Sequence, residues 1–213
     1  MESLSPPVKR TPVIRTRLRE ATRDMHAAAE RRLDLDRPSW TVSDYIRLLT
    51  KLWGFYTPLE RALAETEWDE SGLIVSERAK RQWIEADLMT FGITPDSFSE
   101  IPLCTDLPTF ENFASVLGGL YVVEGATLGG QIILRTLHRQ LGVSPDSGGR
   151  FFASYGRNVG GMWREYLEVL ESVGEKSGVA DEIERLAIAS FSAFDRWFST
   201  MSESPARTGG LIG

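Results

Sequence analysis

The segment LGGLYVVEGATLGGQ, Leu117–Gln131, lies in the most apolar window of this 213-residue chain, and its reading decides the architecture. The wider stretch Val116–Leu134 has about the length of a membrane span, and Gly125 and Gly129 supply a G-x-x-x-G pair. Glu124 at its middle and five glycines argue against a span, because a carboxylate in hydrocarbon is costly. No other stretch is membrane-like, so we expect no membrane span and read the segment as a helix inside a water-exposed fold. Five glycines there need a reason, since each interior helical glycine costs up to about 1 kcal/mol relative to alanine. Gly118, Gly125 and Gly129 project on one face, with Gly119 and Gly130 alongside, leaving a strip without side chains. Either another helix packs closely on that strip, or a flat ligand does, with the glycines letting the helix bend so that backbone groups face it.

Around this segment the helical period runs nearly throughout. Tyr45, Leu48, Leu49, Leu52, Trp53, Tyr56, Leu59 and Leu63 follow i, i+3, i+4 spacing behind Thr41, a cap with Asp44 three residues on. Gly54 and Pro58 predict a kink there. A further helix is expected from after Ser76 to Gly92, then a loop, then a long helix from Thr109 to about Leu141, stopped by Gly142. Phe152, Tyr155, Val159, Met162, Tyr166 and Leu170 form one later stripe; Ile183, Ala187, Phe191, Phe194 and Phe198 form another. No useful alternating run appears, so the fold class is all-α, one domain over residues 15–202 with six to nine helices. Flexible arms are expected at 1–14 and 203–213.

The chain carries 30 acidic and 24 basic residues, net −6, which excludes a nucleic-acid footprint of the whole chain. One cysteine, Cys104, excludes an internal disulfide and suits a reducing, cytoplasmic compartment, and the N-terminal residues contain no apolar signal region.

One of the two histidines lies in LREATRDMHAAAE, Leu18–Glu30. Arg19, Thr22, Arg23, His26 and Glu30 run along one strip of that helix, beside the apolar stripe of Leu18, Ala21, Met25, Ala29 and Leu33. Arg15, Arg19 and Arg23 repeat every four residues in a locally basic stretch, an arrangement that favours an anionic partner. Glu30, one turn beyond His26, stands where a carboxylate can take one imidazole N–H and leave the other nitrogen for a metal. Arg19 stands about 10 Å before His26 along the axis, so a flat metal macrocycle with acidic arms matches both ends. A histidine bonded to its i+4 glutamate, with arginines in water, accounts for the same spacing. His138, in the last turn before Gly142, is explained by the helix C-terminus.

Together these stretches resemble the heme oxygenase family, more closely its bacterial branch associated with bacteriophytochromes. LREATRDMHAAAE, LGGLYVVEGATLGGQ and FFASYGRNVGGMW (Phe151–Trp163) carry the resemblance; LWGFYTPLERAL and FSAFDRWF fit more weakly. It implies a helical bundle holding heme b, both cofactor and substrate, between a proximal helix and a kinked glycine-rich distal helix. His26 is then the iron ligand, Glu30 its orienting partner, and Gly125, Gly129 and Gly130 the distal helix over the ring. Arg19 and Arg23, with Arg164 a third, are expected to hold propionates, Thr22 to be a further cofactor contact, and Phe152, Phe191 and Phe194 to line the macrocycle edge. The implied reaction cleaves heme with O2 to biliverdin, expected as IXα, with release of CO and ferrous iron. Electrons come from a separate ferredoxin or reductase, and apo-bacteriophytochrome is the expected recipient of the bilin. A non-catalytic heme-binding or heme-delivery protein on the same fold is the alternative. Animal relatives have an aspartate where this chain has Ala126, which leaves Thr127, Gln131 and water as candidates for proton delivery.

Overall fold

The computed structural model describes residues 13–33, 39–66, 72–176 and 178–199, so most of the expected N-terminal arm and all of the expected C-terminal tail lie outside the described residues. Among the described residues there are seven α-helices and no named strand: α1 (Ile14–Leu33), α2 (Val42–Ala64), α3 (Arg81–Thr90), α4 (Phe113–Leu141), α5 (Arg150–Ala153), α6 (Val159–Gly174) and α7 (Val179–Ser199). The first begins at Ile14, inside the stretch read as an arm, because Ile14 is buried in the core.

Local chemistry sets the helix ends. At α2 the Thr41 hydroxyl accepts from Asp44 N–H while the Asp44 carboxylate accepts from Thr41 N–H, the expected capping box. At α4 the cap is Asn112 with Ser115, so this helix starts four residues later than its apolar period suggests. Gly142, in the left-handed region at φ 73°, ends it by donating to the His138 carbonyl. The expected stripe from Phe152 to Leu170 is broken: Ser154 takes a positive φ of 51° and separates α5 from α6. The helix expected after Ser76 begins instead as a 3-10 turn, Val75–Arg78, followed by α3.

The long α4 lies in the centre of the molecule, packed on α7, α5 and α6, and its first half from Phe113 to Glu124 is wholly buried. It is the one described helix long and apolar enough to cross a membrane, and most of its apolar window is buried inside the molecule. Leu18, Leu48, Leu49, Leu59, Ile183 and Leu186 have no exposure, and each such side chain contributes about 1.5–3 kcal/mol by leaving water.

Both α1 and α4 pack on α7 and make little direct contact with one another. Ion pairs at the two ends of α1 hold it to α7: Arg17 to Glu184 and Asp181, and Arg32 to Asp195. The helix bearing His26 and the helix bearing the glycines therefore diverge from a common support, and a cleft opens between them.

Candidate functional site

The cleft is a cavity of about 670 Å³, within the range of roughly 300–1,000 Å³ usual for small-molecule sites. From α1 it is lined by His26, Glu30 and Arg31, and from α4 by Gly125, Ala126, Thr127, Gly129 and Gly130. Phe151 and Phe152 of α5 and Phe191 and Phe194 of α7 supply aromatic walls. Eight predicted site residues thus meet on one cavity: His26, Glu30, Gly125, Gly129, Gly130, Phe152, Phe191 and Phe194.

The His26 ring lies edge-on to Phe191, with centroids 4.5 Å apart, and 6.3 Å from Tyr121. Burial lowers its pKa below the usual histidine value, an effect the nearby Glu30 charge partly offsets. A half-buried neutral imidazole has one nitrogen lone pair to offer. Glu30 acts through its charge and not through the expected hydrogen bond, which is absent between these two described residues; it is exposed at the rim. Among the described residues there is no group of three or more His, Cys, Asp or Glu suited to a metal ion.

The five glycines divide into two kinds. A Cβ on Gly118 would lie 2.5 Å from the Ile183 carbonyl oxygen, and one on Gly119 would lie 2.6 Å from the Phe110 ring. These two serve close packing and do not line the cavity, which corrects the view of a single side-chain-free strip. Gly130 does both, lining the cavity while a Cβ there would strike the Phe152 carbonyl oxygen at 2.6 Å. Gly125 and Gly129 belong to the cavity: a Cβ on Gly129 meets nothing within 4 Å, and one on Gly125 meets only Cε1 of His26, at 3.7 Å.

Four predicted residues lie off the lining. Thr22 is buried, its hydroxyl donating to the Leu18 carbonyl at 2.7 Å, and it lies in the core off the cavity lining. Arg19, Arg23 and Arg164 are exposed and none lines the cavity. Arg19 is tied to the His26 end indirectly, since its charge acts on Tyr121, the ring beside His26. The cation on the cavity wall from α1 is Arg31, which the regular arginine row drew attention away from.

Tyr56 and Lys80 also line the cavity, and neither was singled out from the sequence. Burial raises the Tyr56 phenol well above its ordinary pKa, keeping it protonated as a donor in the wall. Of the expected proton carriers, Thr127 is on the wall but donates to the Glu124 carbonyl at 2.7 Å, and Gln131 donates to the Ala153 carbonyl at 3.0 Å and lies off the wall. Lys80 lies in a charged run, SERAKRQ, at the start of the helix expected after Ser76, where nothing local marks it as buried. The available signal was Glu124, a carboxylate in the most apolar window, which has to find buried cations.

A second, surface hollow of about 580 Å³ is lined by the end of α4 and the turn after it, including Arg135, His138 and Arg139. His138 Nδ1 bonds the Val143 carbonyl there, a structural role at the helix end.

The profile of the family described as heme oxygenase matches residues 13–200 of this chain. Among solved structures, the heme oxygenase of Neisseria meningitidis in its NO- and CO-bound forms is similar at 19% identity and a TM-score of 0.72, over 95% of this chain and 100% of that one. The heme oxygenase of Leptospira interrogans is similar at 20% identity and 0.68, over 88% and 99%. The heme-complexed heme oxygenase-1 of the cyanobacterium Synechocystis is similar at 18% and 0.65, over 89% and 92%. No curated protein matches the chain.

Proposed function

Because this chain belongs to the heme oxygenase family, by a match that spans residues 13–200, we propose that it cleaves heme to biliverdin with release of carbon monoxide and ferrous iron. The observation that carries this reading is the position of His26 directly opposite Gly125 in a cavity with aromatic walls.

The residues present fit a heme. One nitrogen ligand, flat aromatic walls and a helix face without side chains at Gly125 and Gly129 suit a planar ring bound on one side through an imidazole. At Gly125 the two walls are close to contact distance, so a ring entering between them has to part α1 from α4 there. Their shared support on α7, with little direct contact between them, leaves them able to part.

Heme is both the substrate and the source of redox-active iron, with dioxygen and electrons from a separate ferredoxin or reductase completing the reaction. His26 holds the ring from the α1 side with the nitrogen lone pair that burial keeps unprotonated. On the α4 side, Gly125 and Gly129 present backbone in place of bulk, leaving room next to the ring plane. Phe152, Phe191 and Phe194 exclude water from its edges. With Thr127 and Gln131 engaged on backbone carbonyls, the Tyr56 hydroxyl, kept protonated by burial, is a side-chain donor on the cavity wall, and ordered water completes the proton supply. Arg31 on the cavity wall would hold the acidic arms, with Arg19, whose charge acts on Tyr121 beside His26, as a second cation; that grip would select the isomer, proposed as IXα. The likeness of the three sequence motifs to the bacteriophytochrome-associated branch supports delivery of the bilin to a phytochrome. The lone cysteine suits a cytoplasmic setting.

The test is aerobic single turnover of the heme-loaded protein with ascorbate or a ferredoxin system, followed by chromatography of the product. Loss of the Soret band with growth of a far-red bilin band is the expected result. An unchanged spectrum overturns the enzymatic reading in favour of a heme carrier.

A further inference from the structure

Glu124, the residue before Gly125, is wholly buried and gathers three donors. Its Oε1 accepts from Lys80 Nζ at 2.7 Å and from the Tyr155 hydroxyl at 2.8 Å, and its Oε2 accepts from Arg78 Nη1 at 2.8 Å. Arg78 and Lys80 are each only 1% exposed. Such a cluster is a poor way to gain stability, because desolvating the charges offsets most of their attraction and apolar residues of similar volume serve as well or better. Arg78 makes this plainer: its Nε and Nη2 have no hydrogen-bond partner, and Nη2 meets only the charge of Glu165 at 3.3 Å. Three buried charges that stability does not explain, set against a candidate active site, point to a role in that site.

Lys80 lies on the cavity wall, and Glu124 sits between Val123 and Gly125, which line it too. The ammonium cannot serve a ligand directly, since its three N–H groups go to the Arg78 carbonyl at 2.9 Å, to Glu124 and to the Tyr155 hydroxyl at 3.1 Å. Its reach into the cavity is therefore by charge, across a low-dielectric wall where charge acts over a long distance. The other charged groups facing it are Glu60, whose carboxylate accepts the backbone N–H groups of Lys80 and Arg81, and Glu165 on the outer side of Arg78. Arg81 is paired with Glu85 outside the cluster, and Tyr155 stays uncharged because burial raises its phenol.

Resting on the reading of the cavity as a heme site, we infer that the buried Arg78–Glu124–Lys80 cluster sets the cavity's affinity for small anions through its charge, Lys80 raising that affinity and Glu124 lowering it. The pair are positioning residues for whatever negative charge develops beside Gly125, acting without touching it.

The experiment uses full-length protein loaded with ferric heme and titrated with azide, with carbon monoxide binding to the ferrous form as the uncharged control. Lys80→Met weakens azide by about three- to tenfold, Lys80→Arg stays close to wild type, and Glu124→Gln tightens azide by a similar factor. Carbon monoxide affinity stays within about twofold throughout, because a field acts on charge. Packing damage moves both ligands and both variants in one direction; that result, or azide binding that does not change, overturns the inference. If Glu124→Gln does not fold, the contrast between Lys80→Met and Lys80→Arg decides. A wild-type protein that takes up no heme overturns the proposed function and this inference with it, whereas normal heme uptake with same-direction shifts overturns the inference alone.

Discussion

Gly118 and Gly125 stand seven residues apart and nearly in line on α4, yet the first is pressed against the Ile183 carbonyl of α7 and the second faces the His26 ring. Their alanine variants are therefore expected to differ in sign. Gly118→Ala places Cβ 2.5 Å from one backbone atom and 2.9 Å from another, which costs roughly 1–3 kcal/mol of overpacking. Gly125→Ala and Gly129→Ala meet no such obstacle and gain up to about 1 kcal/mol of helix propensity, while weakening heme uptake. Thermal unfolding of the ligand-free protein checks the first half, at about 2–4 °C per kcal/mol for a chain of this size. Heme titration checks the second. Destabilisation by Gly129→Ala as large as that of Gly118→Ala would show that α4 is packed along its whole length.

His26→Ala removes the lone pair while leaving the cavity walls, so heme uptake is expected to persist weakly with an altered Soret band. Acidification of the wild-type complex acts on the same nitrogen. Burial holds the folded-state pKa below the usual 6.5, so the lone pair stays free, and coordination survives, to a pH below the ordinary histidine range. In the ligand-free protein the sign is the same: protonating a histidine that folding makes less basic costs stability, which falls as pH drops from about 6.5 through the folded value. An acid titration followed at the Soret band, set beside free imidazole–heme, is the measurement. Loss of the band at or above pH 6.5 contradicts it.

How far these features were legible beforehand depends on whether their cause is local. The all-α class, the Thr41 cap and the Gly142 stop follow from periodicity and cap chemistry within a few residues, and each was readable. His26 and the glycines were readable as unusual because each violates a local preference. What no local rule distinguishes is which glycine serves α7 and which serves a cavity, or which arginine of a basic helix turns inward. Arg31 lines the cavity and Arg23 does not, although the row of Arg15, Arg19 and Arg23 is the more regular pattern. Lys80 and Arg78 were invisible for the same reason, since their burial is imposed by Glu124, more than forty residues away in the chain.

Asp87 gives a pH effect of opposite sign to that of His26. Its carboxylate accepts the backbone N–H groups of Arg150 and Phe151 and so holds the start of α5, which carries two cavity phenylalanines. Burial outweighs those bonds and raises its pKa from 3.8 to about 6. Between about pH 4 and 6 the folded state then binds more protons than the unfolded state at this site. Stability from Asp87 falls as pH rises through that window and stays lower above it, by up to about 2–3 kcal/mol. Asp87→Asn cannot titrate, so subtracting its pH profile of denaturant stability from that of wild type isolates the effect. The difference should grow in favour of wild type as pH falls from 7 to 5; a flat difference removes Asp87 from this account.

The last expectation concerns grip on the acidic arms of heme. Arg31 lines the cavity, and Arg19 lies off the lining, its charge acting on Tyr121 beside His26. Arg23 leaves 78% of its side chain in solvent beside Asp24, and Arg164 is also exposed away from the lining. An exposed charge pair is worth about 0.2–1 kcal/mol, so Arg31→Ala should weaken heme affinity by roughly two- to fivefold, Arg19→Ala by less, and Arg23→Ala or Arg164→Ala by little. Because the pairing is at the solvent rim, the Arg31 effect should shrink when the ionic strength is raised toward 1 M, where the screening length is about 3 Å. Heme titrations of the four variants at low and high salt measure both quantities. Equal losses at Arg23 and Arg31, or a loss at Arg31 that salt leaves untouched, would place the acidic arms somewhere other than the mouth of this cavity.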